Sequence, residues 1–124
     1  YCKRPKYAVL EMLKSLMPGR FVSLDWPEWS AIAAIGVRDD SQKRISVVLV
    51  NEGDSAQIAA IQFTHLPFAA GSLKQVVRRI DATHSADCNG LEKGREERLA
   101  VTGDSARTKI ELPANAIVQI TLTQ

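Results

Sequence analysis

The sequence predicts an all-β protein: a two-sheet antiparallel β-sandwich of about eight strands with one N-terminal helix. Helical periodicity occurs only near the start of the chain. From Arg20 onward, short alternating or apolar runs are separated by turn signals. The length, 124 residues, suits a single domain with one core.

The helix is predicted over residues 5–17, where Val9, Leu10, Leu13, Leu16 and Met17 recur at three- and four-residue spacing and form one apolar stripe. Pro5 suits a first helical turn, and Pro18-Gly19 stops the helix. Such a stripe must be covered, either by this domain or by a neighbour.

Strands are predicted at 20–24, 31–38, 44–51, 57–64, 74–81, 97–102, 107–112 and 116–123. Ile45-Ser46-Val47-Val48-Leu49-Val50 is apolar on both faces and reads as a central strand. The last two strands alternate, with Thr108, Ile110 and Leu112 opposing Arg107, Lys109 and Glu111. Likewise Val118, Ile120 and Leu122 oppose Gln119, Thr121 and Thr123. That pattern predicts one face on a core and one in water. Gly-Asp-Ser-Ala occurs twice, at 53–56 and 103–106, each time as a turn in which Gly supplies positive φ. Ala82 to Glu97 reads as one long polar loop.

Composition excludes several classes. Hydrophobic residues at 45% and charged residues at 24% match an ordinary globular domain. Sixteen Lys and Arg against fourteen Asp and Glu give +2, too little for a dedicated nucleic-acid binder. Residues 1–20 hold five basic residues against Glu11 alone, which reads as a solvated helix face. No run of about 18 apolar residues provides a membrane-spanning helix. Cys2 and Cys88 have no C-x-x-C spacing, which argues against zinc; a disulfide and two free thiols both fit them. No cofactor is expected. Tyr1–Arg4 lacks the features of a signal peptide, so the chain reads as a processed form or a piece of something longer, and no compartment follows.

Few residues suggest chemistry. Asp81, His84 and Ser85 supply the three residue types of a catalytic triad, but as near neighbours at one strand end they read as a structural hydrogen-bond cluster. Glu92, Glu96 and Glu97 lie among Lys93, Arg95 and Arg98 and read as a solvated segment, not as an acid–base pair. His65 is expected to be hydrogen-bonded and partly buried. Trp26 and Trp29 are the candidates for ligand contact, because an indole face matches the apolar face of a pyranose. They equally suit packing at a core edge or against a neighbouring domain.

The segment Val77-Arg78-Arg79-Ile80-Asp81-Ala82-Thr83-His84-Ser85 resembles a recurrent stretch of glycoside hydrolase family 39, the clan A family that includes β-xylosidases and α-iduronidases. Element order also resembles that family. Residues 5–16 look like the terminal helix of its catalytic barrel, Ile45 to Asn51 like one of its strands, and Leu66-Pro67-Phe68 precedes the motif strand. Ala86 stands where the family usually has Asn, and Leu91 near where Trp is common.

The resemblance implies a C-terminal β-sandwich attached to a (β/α)8 barrel. Residues 1–18 would be a linker helix at the end of the barrel, and 19–124 the sandwich. The family's catalytic glutamates sit on the barrel, so none maps onto this chain. Arg79, Asp81, His84 and Ser85 take a structural role where the strand leaves the sheet. The expected function is a non-catalytic accessory domain that stabilises and orients a barrel of the same polypeptide. Leu10, Leu13 and Met17, with the 82–97 loop, would form the interface. The alternative is a carbohydrate-binding module that stacks an oligosaccharide on Trp26 and Trp29. Neither a nucleic acid nor a membrane is an expected partner.

Overall fold

The computed structural model describes residues 10, 12–17, 19–22, 24, 31–66, 71–80 and 94–123. Eight strands form two antiparallel sheets: β1 (Arg20–Phe21), β2 (Ile32–Asp39), β3 (Arg44–Asn51), β4 (Gln57–Phe63), β5 (Ser72–Ile80), β6 (Arg95–Ala100), β7 (Ala106–Leu112) and β8 (Ile117–Thr123). The large sheet runs β1-β2-β3-β8-β5-β6, and β4 pairs with β7 in the small one. The all-β sandwich expectation holds, and all eight expected strands are present. The apolar strand β3 lies beside β8 at the centre of the large sheet.

The core between the sheets follows from alternation. Ile45, Val47 and Leu49 of β3, Leu73 of β5, and Val118, Ile120 and Leu122 of β8 point to one side. They meet Ala59 and Phe63 of β4 and Ala106, Ile110 and Leu112 of β7. Leu49, Leu73, Leu112, Ile120 and Leu122 are fully buried, and each such side chain contributes about 1.5–3 kcal/mol of transfer free energy.

The other face of the large sheet is not simply solvated. Met12 and Leu16 of the helical segment pack there on Val37, Val48 and Ile80. Gln119, expected in water, is buried beneath it and donates through Nε2 to Ser15 Oγ at 2.8 Å. Ser15 Oγ in turn donates to the Met12 carbonyl at 2.6 Å. The helix therefore makes a third layer, and a polar residue between two layers needs a specific partner. Bonds from Leu16 N to Leu13 O and from Met17 N to Lys14 O, both 3.2 Å, tighten its last turn.

Asn51, at the end of β3, is fully buried. Its Nδ2 lies 3.0 Å from Ser55 O, 3.0 Å from Leu112 O and 3.2 Å from Pro113 O. Its Oδ1 accepts from Gly53 N at 3.0 Å, and its backbone N donates to Ala116 O at 2.9 Å. The β3–β4 and β7–β8 connections, which both change sheet, are thereby joined through one side chain. At the opposite end the other two sheet-changing connections are joined by backbone. Leu66 N donates to Asp104 O and Val101 N to Gly71 O, both at 3.0 Å.

Three local expectations need correction. The stretch 95–97 is not loop but the start of β6, where Lys74 Nζ reaches Glu96 at 3.2 Å and Arg95 Nε reaches Glu97 at 3.0 Å. Opposite charges on an edge strand favour pairing, which turn-like composition obscured. Of the two Gly-Asp-Ser-Ala turns, only the second uses a positive φ, at Gly103 (64°); Gly53 is held instead by Asn51. His65 is exposed rather than partly buried, its side chain 88% accessible, with φ 55° and Nδ1 3.5 Å from Asp104 Oδ2.

The β2–β3 turn is organised by Asp39, whose Oδ1 accepts from Ser41 Oγ at 2.7 Å, Ser41 N at 3.1 Å and Gln42 N at 3.3 Å. The Ser41 hydroxyl, followed by the two backbone donors and Arg44, holds this carboxyl below its ordinary value of 3.8 against the opposing effect of burial. A carboxylate with a lowered folded pKa adds stability above its unfolded pKa and loses it as pH falls through the folded value. Unfolding free energy should therefore decline below about pH 4, and Asp39→Asn should flatten that decline in urea titrations across pH 2–7. Asn51→Ala should lower stability by about 2 kcal/mol or more, because buried carbonyls lose their donor. A shift in the urea midpoint worth under about 0.5 kcal/mol would refute the joining role of Asn51.

Candidate functional site

The clearest unpartnered surface begins at the helix, which is apolar on two sides. Met12 and Leu16, four residues apart, face the sheet. Leu10, Leu13 and Met17, at i, i+3 and i+7, face away, at 59%, 41% and 53% exposure. The single stripe expected from periodicity is thus two faces, because Met12 rather than Leu13 meets Val37 and Val48.

The patch continues onto the large sheet. Phe21 of β1 stands opposite Val37, and Ile35 of β2 opposite Val48, so both lie on the helix-bearing face. They are 71% and 43% exposed. Gly19 lets the chain pass from helix to sheet at close range, since a Cβ there would lie 2.4 Å from Val37 Cγ1 and 3.2 Å from Arg38 O. Sequence reasoning missed Phe21 and Ile35. The two-residue spacing of Ile35 and Val37 within β2 was the available signal for Ile35, whereas only strand pairing sets Phe21 opposite Val37.

Charged groups stand at the same sheet edge on its other face, since Arg20 pairs with Arg38 and both alternate with Phe21 and Val37. Asp40 accepts from Arg38 Nε and from Arg20 at 3.0 Å, and Arg38 also donates to the His65 carbonyl at 3.0 Å. The Arg38 guanidinium holds the Asp40 carboxyl below the usual carboxylate range.

The other expected site residues are placed unevenly. Arg79 sits half-buried near the end of β5, in a cleft of about 150 Å³ shared with Gln75, Arg95, Glu97, Lys109 and Glu111. Asp81, His84 and Ser85, Trp26 and Trp29, both cysteines and most of the 82–97 loop lie outside the described residues. Glu96 and Glu97 stand on β6 among basic neighbours, not across a cleft from each other. Among the described residues no cluster of three or more His, Cys, Asp or Glu could hold a metal ion.

No family model and no curated protein matches the sequence. Solved structures do share the fold. The chain is similar to a protein from Neocallimastix frontalis, with TM-score 0.75 and 19% identity over 99% of this chain and 31% of that one. It is also similar to a GH39 enzyme from Xanthomonas axonopodis pv. citri, with TM-score 0.67 and 17% identity over 98% of this chain and 30% of that one. A GH30 endoxylanase from Clostridium papyrosolvens matches with TM-score 0.63 and 19% identity over 97% of this chain and 28% of that one. At these identities the likeness is one of fold. The chain spans about a third of the length of each of these proteins, two of which are glycoside hydrolases.

Proposed function

We propose that this chain is a non-catalytic accessory β-sandwich of a larger glycoside hydrolase, which stabilises and orients a (β/α)8 catalytic barrel of the same polypeptide. Residues 1–18 are its linker helix and 19–124 the sandwich. The observation that carries the reading is the two-sided helix. One face is spent on the large sheet, while Leu10, Leu13 and Met17 stand exposed together with Phe21 and Ile35. A contiguous exposed apolar patch of this kind marks an interaction site. The fold shared with portions of longer glycoside hydrolase chains supports the choice of partner. On this reading Arg79, Asp81, His84 and Ser85 are structural, tying the segment after β5 to the sandwich.

The full-length gene product tests it. Leu13→Asp or Phe21→Asp removes an apolar contact worth about 1.5–3 kcal/mol and places a carboxylate in the interface. Each should lower the unfolding temperature of the catalytic portion by several degrees and leave the β-sheet signature of the sandwich intact. Unchanged melting of the full-length variants would refute docking through this face.

A further inference from the structure

Buried polar side chains are normally paired, and an unpaired one calls for an explanation. Gln75 of β5 is such a residue. It is buried on the inner face of the large sheet, opposite Leu122, and its Oε1 has no hydrogen-bond partner among the described residues.

Gln75 also lines the cleft of about 150 Å³ that Arg79 borders. Across the β5–β6 ladder Gln75 stands opposite Glu97, and Val77 opposite Arg95, so these four share the cleft side of the large sheet. Lys109, Ile110 and Glu111 of β7 form the facing wall. The rim is open to solvent. The Arg95 and Glu97 side chains are 78% and 48% accessible, and Lys109 and Glu111 are exposed.

The chemistry of this lining selects a ligand. Gln75 Oε1 is an acceptor, so the bound group must carry a donor. Glu97 gives one carboxylate oxygen to Arg95 Nε at 3.0 Å and keeps a second for another donor. Arg95 and Lys109 in turn offer N–H groups. An anion would meet Glu97 and Glu111, and a cation Arg95 and Lys109. Either charge would also be costly to bring beside the buried Gln75. A neutral molecule with several hydroxyls escapes these penalties, because each hydroxyl both donates and accepts. Val77 and Ile110 add apolar surface for its C–H groups. The cleft is well under the about 300 Å³ of an ordinary small-molecule pocket, which limits the ligand to one ring.

We propose that this cleft binds a single neutral sugar ring, with Gln75 Oε1 and the Glu97 carboxylate accepting from two of its hydroxyls. The site lies on the opposite face of the large sheet from the helix and does not depend on the accessory-domain reading.

Hydrogen exchange of the full-length gene product, with and without sugar, tests this. Peptides spanning Ser72–Ile80 and Arg95–Ala100 report the cleft and not a distant sugar site. Glucose, galactose, xylose and arabinose are the probes, with methylammonium and acetate as charged controls. At about ten times its dissociation constant, at least one sugar should slow exchange of these peptides about tenfold, and neither control should. Gln75→Leu and Glu97→Ala should each remove the slowing; the second lies on an exposed edge strand and spares the core. Slowing by none of the sugars would leave water as the partner of Gln75 and overturn the proposal. Slowing by a charged control, or slowing that survives either variant, would equally overturn it.

Discussion

The sandwich depends most on the corner at Asn51. Chain connectivity forces four changes of sheet, in two pairs at opposite ends of the small sheet. Every such crossing strips backbone carbonyls of their ladder partners, and a buried carbonyl without a donor costs about as much as a lost hydrogen bond. At one end the backbone makes the repair itself, through Leu66, Asp104, Val101 and Gly71. At the other, an amide side chain does it, because Asn can donate and accept at the same point. The two connections that meet there then cannot move independently of each other.

From that corner the layers follow. β3 and β8 fill the centre of the large sheet and are buried on both sides, by the small sheet on one and by the helix on the other. A two-sided strand has no solvent face on which to place polar residues freely. Gln119 therefore donates through Nε2 to Ser15, which couples helix position to strand register. The helix itself is a connector with two apolar faces. Only one is packed within the described residues, which leaves Leu10, Leu13 and Met17 exposed.

The small sheet shows an imbalance of its own. Two strands oppose six, and β4 lacks the charges that β6 and β7 carry.

The sequence by itself determined the strand inventory, since alternation and turn residues are local. The same holds for β3 as a central strand and for Leu10, Leu13 and Met17 as apolar positions in search of cover. It also carried, in Val77–Ile80 and the residues after them, a likeness to a family whose fold the structure shares. Only the tertiary structure decided which helix face meets the sheet, because Met12 became a core residue through contact with Val37 and Val48 rather than through any periodicity. It likewise decided that Phe21 and Ile35 join the patch, that Gln119 is buried and that His65 is exposed. Those outcomes depend on what lies across from each residue in another layer, and no local pattern encodes a partner that arrives from elsewhere in the chain.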